Sequence, residues 1–416
     1  PPLLPYSGPT PTVCLSIIVK NESKVITRML ETVWPILDRY LVVDTGSTDG
    51  TQDIIRAFFA EKGIPGEVVD HEWVSFEDAR NTALNLVKGK ADFGFWIDAD
   101  ETLTIDPSFN AKLFKRGLAP YDGGNMKVWY GGQEYFRMQF FSTKKPWRWY
   151  GKLHEVLVCD EQVSCAIADG LTTVVHPDGN SWTSESLQSK YEGHAKILEK
   201  VVAEDATKDP RWYFYLAQSY RDANTPENLE KSLHWYRERL KFRDSGYWEE
   251  LYYSQLMVAT LRARLGHNEH EVMHEFITCG KYNRMRIEHL MAPLRAYHHR
   301  GDFETSYIFS SHGMRIAGKG KSPFPHSSLF IDKRTYEFEI LNLHMLNCWY
   351  TGRHEESAAT YKKLEQQMRE GKVPADMVEL TKNNGTFFKL TPQQLADLQR
   401  KQHEENQRKA QQQQVQ

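Results

Sequence analysis

The chain has 416 residues, enough for two or three domains that each bury a core of their own. Lys and Arg total 52 and Asp and Glu total 55, so the formal net charge is −3, and this balance argues against a dedicated nucleic-acid binder, which needs a basic face. Aromatic residues make up 12% of the chain, which excludes a mostly disordered protein.

The chain opens with a Pro-rich segment, residues 1–12, that lacks the basic and apolar stretches of a signal peptide. No apolar run approaches the ~18 residues that a membrane span requires. The five cysteines are an odd number, are scattered and include no C-x-x-C pair, so neither a disulfide framework nor a zinc ribbon is predicted. We therefore expect a soluble protein of the cytoplasm, where thiols stay reduced.

Residues 13–183 have the pattern of an α/β domain. Short apolar runs at 13–20, 40–44 and 92–98 are typical of strands buried on both faces. Helix-period segments lie at 22–37, 51–62 and 78–87. Strands that alternate with helices through short loops predict a mostly parallel, doubly wound sheet of the Rossmann-like kind.

Residues 184–398 have a different pattern, in which strand-like runs are absent and helix-period segments follow one another. Three turn points centred on Gly266, Gly301 and Gly352 each separate two such segments. Small residues at helix-contact spacing also mark the paired segments 212–220 and 229–240. This predicts an irregular array of helical hairpins similar to tetratricopeptide (TPR) repeats, followed by a Gln-rich polar tail at 399–416.

Two carboxylates, Asp98 and Asp100, stand one residue apart where the third apolar run ends. In an open α/β sheet, ligands bind at the carboxyl ends of the strands. A pair of carboxylates there suits a hard cation such as Mg²⁺ or Mn²⁺, which bridges to substrate phosphates. Taken alone, the same spacing also fits an acidic loop that only caps a helix.

Two further motifs follow predicted strands or open predicted helices. In residues 44–51 the glycines permit a tight turn, and Asp44 is available to a base or ribose, although a plain strand-to-helix turn has the same composition. In residues 76–81, Arg80 is available to a phosphate or a base carbonyl, although a single arginine is more often a surface charge.

These motifs occur in the order LSIIVKNE, VVDTGSTDGT, FEDARNTAL and WIDADE between residues 15 and 101. Together they resemble the family 2 glycosyltransferases of the GT-A fold, which use nucleotide sugars and a D-x-D metal site. Two later stretches, WYGKLHE at 149–155 and VVHPDG at 174–179, are similar to the branch that has a TPR-like C-terminal domain. That branch includes the peptide S-glycosyltransferases of bacteriocin gene clusters, and the resemblance covers residues 13–240.

The resemblance implies a set of donor-nucleotide contacts and a set of metal ligands. The donor set is Lys20, Asn21, Glu22, Asp44, Gly46, Ser47, Arg80 and Asp98. The ligands of a Mn²⁺ or Mg²⁺ ion are Asp98 and Asp100, with His176 as a further metal or phosphate ligand, unless that histidine is structural. Many members read D-D-G-S where this chain has Thr45 as the second residue, so the base contact rests on Asp44.

An inverting transfer needs a base that takes the proton from the acceptor. The candidates are Glu155, His154, Asp178 and Glu101. The resemblance favours Glu155, because the family usually supplies its base from a carboxylate well downstream of D-x-D, with His154 to orient it or to touch the diphosphate. Glu101 and the two tryptophans Trp147 and Trp149 are the predicted sugar or acceptor contacts.

The sequence thus predicts a metal-dependent glycosyltransferase that moves a sugar, most simply from a uridine diphosphate (UDP) sugar, to a hydroxyl or thiol. The acceptor class stays open between a peptide, a glycan and a small molecule, and nucleic acid is disfavoured by charge. The helical array would bind the acceptor or form a homodimer. The alternatives are a helical-repeat scaffold that binds nucleotide without turnover and a nucleotidyl transferase.

Overall fold

The computed structural model describes residues 7–180, 186–317, 328–386 and 400. The chain divides into two compact units. Unit 1 comprises Pro1–Asn283 and Phe324–Asp332, and unit 2 comprises Arg284–Pro323 and Lys333–Gln416. The predicted tail at 399–416 and the first residues of the Pro-rich segment lie outside the described ranges, apart from residue 400.

Unit 1 contains a mixed sheet that has nine strands in the described part of the chain. The strands are β1 (Val13–Val19), β2 (Arg39–Asp44), β3 (Gly66–Asp70), β4 (Phe93–Phe95), β5 (Glu101–Ile105), β6 (Gly123–Tyr130), β7 (Gln133–Ser142), β10 (Cys165–Val175) and β11 (Ile331–Asp332). Their order is β3-β2-β1-β4-β7-β6-β10-β5, and β11 also pairs with β7. A separate hairpin consists of β8 (Trp147–Tyr150) and β9 (Val156–Cys159).

The sheet has a parallel part and a mixed part. Strands β3, β2, β1 and β4 are parallel neighbours, as the α/β prediction requires. The expectation of a mostly parallel sheet was wrong beyond β4, because β7 runs antiparallel to both β4 and β6. For β6 and β7 the reason is local: Gly131 and Gly132 both have positive φ, which is the backbone of a tight two-residue hairpin turn between these strands.

Four helices accompany these strands: α1 (Ile26–Val33), α2 (Thr51–Lys62), α3 (Phe76–Val87) and α4 (Ala111–Leu118). The helix predicted at 51–62 is confirmed. The one predicted at 22–37 is shorter, because Pro35 lacks an N–H and the chain continues as the 3₁₀ turn Trp34–Ile36. The predicted strand at 92–98 is only Phe93–Phe95, so Asp98 lies in the loop beyond the end of β4.

The remaining described elements are almost all helical, which confirms the predicted change of fold. Unit 1 continues with α5 (Leu187–Glu204), α6 (Pro210–Ala223), α7 (Pro226–Arg239), α8 (Trp248–Arg264) and α9 (Glu269–Thr278). Unit 2 contains α10 (Glu288–His299), α11 (Phe303–Ala317), α12 (Ile340–Tyr350), α13 (His354–Arg369) and α14 (Ala375–Asn384). Among the helices in the described ranges, none has both the length and the apolar character that crossing a membrane requires.

The three predicted glycine turns have one common geometry. Gly266, Gly301 and Gly352 follow the ends of α8, α10 and α12 with φ between +73° and +77°. In each turn, the residue after the glycine donates its N–H to the carbonyl five residues earlier, at 2.8–3.0 Å. This is the Schellman C-cap, in which glycine provides the left-handed backbone at no steric cost.

A buried serine links the two helices of three hairpins. Ser232 donates to the carbonyl of Ala217, Ser306 to that of Leu294 and Ser357 to that of Met345, at 2.7–2.9 Å. Each serine is fully buried on the second helix of its pair. The small side chain allows the helix backbones to approach closely. The three hairpins therefore share one kind of contact, although their spacing along the sequence is uneven.

Arg239, at the end of α7, is fully buried and forms an ion pair with the buried Glu250 of α8 at 2.9 Å. It also donates to the carbonyls of Phe242 and Tyr247. We expect Arg239→Met to lower the free energy of unfolding by about 3–5 kcal/mol, because Glu250 is left buried without its partner. Urea denaturation measures this, with Arg237→Met on the exposed face of the same helix as the control. Equal stability of the two variants would contradict the prediction.

Candidate active site

A cavity of about 870 Å³ opens in unit 1 at the carboxyl ends of β1, β2 and β4. This is the edge at which parallel α/β sheets bind ligands. Its walls combine charged, aromatic and small side chains: Ile18, Val19, Lys20, Glu22, Thr45, Trp73, Phe76, Arg80, Asp98, Ala99, Asp100, Glu101, Tyr130, Tyr135, Arg137, His154, Val175 and Asn180. The four motifs of the sequence therefore converge on one cavity.

Asp44 shapes the loop that follows β2. It is fully buried, and its Oδ1 accepts hydrogen bonds from the backbone N–H groups of Gly46 (2.9 Å) and Ser47 (2.7 Å). Its Oδ2 is buried without a hydrogen-bond partner among the described residues. Thr45, at the position of the family's second aspartate, donates its hydroxyl to the carbonyl of Val19 (3.1 Å), a bond that an ionised aspartate cannot donate.

The segment after β1 is tied to this loop by hydrogen bonds. Asn21 has φ +56°, donates its N–H to Ser47 Oγ (2.9 Å) and accepts at Oδ1 from the N–H of Thr48 (2.8 Å). Lys20 and Glu22 line the cavity, whereas Asn21, Asp44, Gly46 and Ser47 are not among its lining residues. Of the predicted donor set, Asn21 and Ser47 hold the two loops together.

Arg80 of α3 lies between two indole rings. Its guanidinium carbon is 5.1 Å from the centre of the Trp96 ring and 4.9 Å from that of Trp149. Its Nη2 donates to Asp98 Oδ1 at 2.7 Å, and its Nε is 3.4 Å from Glu155 Oε2. Arg80 thus contacts both Asp98, the first aspartate of the D-x-D pair, and Glu155, the predicted base.

Arg137 of β7 is a second buried cation that the sequence reasoning missed. It binds both oxygens of Glu101, at 3.0 and 2.6 Å, and its guanidinium carbon lies 4.4 Å from the centre of the Trp96 ring. The signal was one of the two arginines inside the aromatic stretch of residues 129–150. Because Glu101 is buried and also accepts from the N–H of Asp98, its predicted role as a sugar contact or base is not supported.

Asp100 differs from Asp98 and Glu101, because no cationic side chain pairs with its carboxylate among the described residues, although it lines the cavity. Burial, together with the negative charges of Asp98 and Glu101, raises its pKa to about 7. The pKa of Asp98, although burial raises it, is lowered overall by Arg80 and Arg137. The two carboxylates of the D-x-D pair therefore have opposite electrostatic environments.

Four candidate residues occupy places other than those predicted. His176 Nε2 lies 2.9 Å from Thr102 Oγ1, and the residue does not line the cavity. Asp178 forms a two-point ion pair with Arg28 at 2.7 Å, so it is not a free base. Trp147 and Trp149 are 4% exposed and pack in a hydrophobic cluster, so the expectation that they face the cleft was wrong.

His154 and Glu155 follow β8 but point to different surroundings. His154 has φ +53° and stacks on Tyr215 of α6, with 4.2 Å between ring centres, at the wall of the cavity. Glu155 is nearly buried beside Arg80. Burial raises the pKa of Glu155, and the charge of Arg80 opposes this rise without cancelling it.

A second cavity of about 640 Å³ shares Tyr130 and His154 with the first. Its other lining residues come from the helical part of unit 1: Leu187, Lys190, Tyr191, His194, Arg221, Asp222, Asn224 and Arg264. Basic and aromatic side chains predominate on this wall. The two cavities thus meet at one histidine and one tyrosine.

The raised pKa of Asp100 predicts a pH-dependent stability. In its folded state the carboxyl keeps its proton to about pH 7, whereas the unfolded chain loses it near 3.8, so the unfolded state is favoured as pH rises through this window. In the presence of a chelator, we expect the stability advantage of Asp100→Asn over wild type to grow from about pH 4 to about pH 7 and then level off. Thermal denaturation across this range is the measurement.

Asp178→Asn serves as the control, because the pKa of Asp178 is shifted in the opposite direction. Hydrogen bonds from Arg28 lower it. The stabilisation by Asp178 is complete above the ordinary pKa of an aspartate and is lost only on acidification, so this variant should differ from wild type by a constant amount over the same window. Parallel stability curves for Asp100→Asn and wild type would contradict the assignment.

Comparison with known proteins finds similar sequences for the first part of the chain. Residues 14–152 match the model of the family described as Glycosyl transferase family 2. The SPbeta prophage-derived glycosyltransferase SunS of Bacillus subtilis (strain 168) and the glycosyltransferase SunS of Bacillus phage SPbeta are each 25% identical over 246 residues, which is 56% of this chain and 56% of each relative. The chain thus spans about half the length of the curated relatives it matches.

Two groups of solved structures are also similar. The S. aureus TarS fragment 1-349 in complex with UDP-GlcNAc has 14% identity and a TM-score of 0.30, over 74% of this chain and 92% of that chain. The crystal structure of MamA has 12% identity and a TM-score of 0.32, over 44% of this chain and 93% of that chain. Scores this low support no inference, so the similarity to glycosyl transferase family 2 rests on the sequence match of residues 14–152.

Proposed function

We propose that the chain is a glycosyltransferase that takes a sugar from a nucleoside diphosphate sugar and passes it to a hydroxyl or thiol. The observation that carries this proposal is the carboxylate of Asp100, which pairs with no cationic side chain among the described residues, in a cavity at the strand ends of a domain similar to family 2. Asp98 and Arg80 line the same cavity and form a connected set of ion pairs with Glu155. A wall that only covers a hydrophobic core does not need such a set of ion pairs.

The donor nucleotide fits the part of the cavity next to β1 and β2. Lys20 offers a cation to a phosphate, and the volume of about 870 Å³ is in the range of sites that enclose a small organic ligand. The buried, unpartnered Oδ2 of Asp44 is an acceptor that lacks a donor, and the N–H of a uracil ring supplies one after a small opening of the loop. This supports a UDP sugar over other donors.

A divalent cation fits the chemistry of Asp100. Burial raises its pKa, and the negative charges of its neighbours Asp98, Glu101 and Glu22 raise it further. Bound Mn²⁺ or Mg²⁺ would supply Lewis-acid stabilisation of the departing diphosphate. Asp100 is the ligand we assign, with Asp98 held nearby by Arg80; His176 is not favoured, because its Nε2 already contacts Thr102.

Glu155 is the base we assign. Burial raises its pKa, so the carboxylate binds a proton more readily than an exposed glutamate does. Arg80, 3.4 Å from Oε2, limits that rise and keeps an ionised form available. His154 contributes the wall between the two cavities, and its ring position is set by the stack on Tyr215.

The acceptor fits the second cavity. This cavity reaches the donor cavity at Tyr130 and His154, so an acceptor bound there brings its nucleophile to the donor from the helical side. Tyr191 and the cations Lys190, Arg221 and Arg264 suit a polar chain with carbonyl, hydroxyl or anionic groups. A peptide or a glycan fits this description, and homodimerisation through the helical region remains a separate prediction.

The proposal is tested by incubating the protein with a panel of nucleoside diphosphate sugars and Mn²⁺ and measuring the release of nucleoside diphosphate. We expect release with UDP sugars, and its loss in Asp100→Ala, because that variant lacks the carboxylate that holds the cation. Asp53→Ala, which changes an exposed aspartate of α2, is the matched control. No release with any donor, together with no metal-dependent nucleotide binding, would contradict the proposal. Nucleotide binding without release would favour the non-catalytic scaffold, and release of pyrophosphate would indicate nucleotidyl transfer.

Glu155→Gln should lower kcat by ~10²–10⁴-fold, because the amide keeps the shape of the side chain but cannot accept the acceptor's proton. The dissociation constant of the donor should stay unchanged, since the amide leaves the donor cavity intact. Steady-state kinetics and calorimetric titration with the nucleotide measure the two quantities. Glu161→Gln, at an exposed glutamate that pairs with Lys145, is the control. Normal turnover in Glu155→Gln would assign the base to another residue.

A further inference from the structure

Unit 2 contains a cluster of side chains that the proposed transfer reaction does not use. His344 and Cys348 stand one turn apart on the same face of α12, and Glu356 reaches them from α13. His344 Nε2 lies 3.0 Å from Glu356 Oε1 and 3.5 Å from Cys348 Sγ. One ligand atom from each residue lies within 4.8 Å of the others, and among the described residues no other such group of three occurs.

One of the two tautomers of the His344 imidazole leaves the lone pair of Nε2 facing another acceptor. Ser310 Oγ lies 3.0 Å from the carbonyl of Tyr307, to which it donates its single hydroxyl hydrogen, and 2.9 Å from His344 Nδ1. In the tautomer in which Nδ1 carries the ring proton, it donates that proton to Ser310. The lone pair of Nε2 then faces the carboxylate of Glu356, which is also an acceptor, and a cation between them would satisfy both; in the other tautomer Nε2 donates to Glu356 directly.

The residues around the cluster hold its side chains in position, as residues next to a metal site hold the metal ligands. Ser310 Oγ can accept the Nδ1–H of His344, which leaves Nε2 free to bind an ion, and metal-bound histidines commonly donate their other N–H in this way. Tyr307 donates its hydroxyl to the second carboxylate oxygen of Glu356 at 3.1 Å, and its ring lies against that of His344. Both ligands are thus held from behind.

Burial and access also fit a bound ion. His344 and Cys348 are buried, at 2% and 0% exposure, whereas the side chain of Glu356 is 45% exposed. An ion can enter on the side of Glu356, and water can complete its coordination there. Ligand atoms of a tetrahedral Zn²⁺ lie about 3.3–3.7 Å apart, given bonds of about 2.0–2.3 Å, and the distances from His344 Nε2 are close to this range.

We propose that His344 Nε2, Cys348 Sγ and Glu356 Oε1 bind one Zn²⁺ ion that links α12 to α13. One thiolate, one imidazole and one carboxylate suit Zn²⁺, whereas the all-oxygen surroundings of Asp100 suit Mn²⁺ or Mg²⁺. The zinc site lies in unit 2 and the transfer site in unit 1, so either can fail without the other. The zinc stabilises the fold of the helical hairpin and takes no part in the chemistry.

The test uses the full chain after treatment with a chelator. Co²⁺ replaces Zn²⁺ as a probe, because a Co²⁺–thiolate bond gives a charge-transfer absorption that the oxygen ligands of unit 1 cannot produce. We expect one equivalent of Co²⁺ to develop this absorption, Zn²⁺ to displace it, and Zn²⁺ to raise the melting temperature. Cys348→Ala should abolish the absorption, whereas Cys279→Ala, at another buried cysteine, should leave it intact.

Two milder variants keep the test valid if Cys348→Ala does not fold. Glu356→Gln should weaken Zn²⁺ binding, with Glu355→Gln on the same helix as the control, and Tyr307→Phe should weaken it ~10–100-fold by releasing the carboxylate. No thiolate absorption with Co²⁺, or equal affinity in Glu356→Gln and wild type, would overturn the proposal. The cluster would then be a buried ion pair between a protonated His344 and Glu356.

Discussion

The site depends on the compensation of buried negative charge at the strand edge. Glu22, Asp98, Asp100 and Glu101 line one cavity, and Glu155 lies behind it. An ionised carboxylate out of water costs several kcal/mol unless a cation pairs with it. Arg80 and Arg137 provide two such cations, and neither pairs with Asp100. The charge that remains is the feature that a metal ion or a proton must neutralise.

The two arginines are themselves held by Trp96. Both guanidinium groups lie within 5.1 Å of the centre of its ring, and its indole N–H donates to the carbonyl of Met138 on β7 at 2.7 Å. Asn81, next to Arg80, exchanges two hydrogen bonds with the backbone of Trp149 and so fixes the second ring. Trp149, which was expected to contact a sugar, instead positions Arg80 together with Trp96.

The helical part has two separable roles in this description. In unit 1, helices α5, α6 and α8 supply most of the wall of the second cavity, next to the cavity that we assign to the donor. In unit 2, α12 and α13 carry the thiol, imidazole and carboxylate that we assign to zinc. The predicted domain boundary near residue 184 marks the change from strands to helices. The division between the two compact units falls elsewhere, after residue 283.

The sequence by itself determined the elements whose causes are local. Apolar runs predicted β1, β2 and β4, and helix-period spacing predicted α2 and α3. Glycine turns predicted the hairpins at Gly266, Gly301 and Gly352, because a left-handed C-cap depends on only a few neighbouring residues. The D-x-D pair and Arg80 were also found from sequence, since their motifs stand directly at strand and helix ends.

Tertiary structure decided what depends on distant residues. Arg137 reaches Glu101 because β7 pairs antiparallel with β4, which no local pattern of residues 129–150 reveals. Trp147 and Trp149 are buried because the β8–β9 hairpin packs on Leu84 and Phe141. Asp98 and Asp100 have the same side chain and stand one residue apart. Asp98 pairs with Arg80, whereas Asp100 pairs with neither Arg80 nor Arg137, and this difference arises only in the tertiary structure.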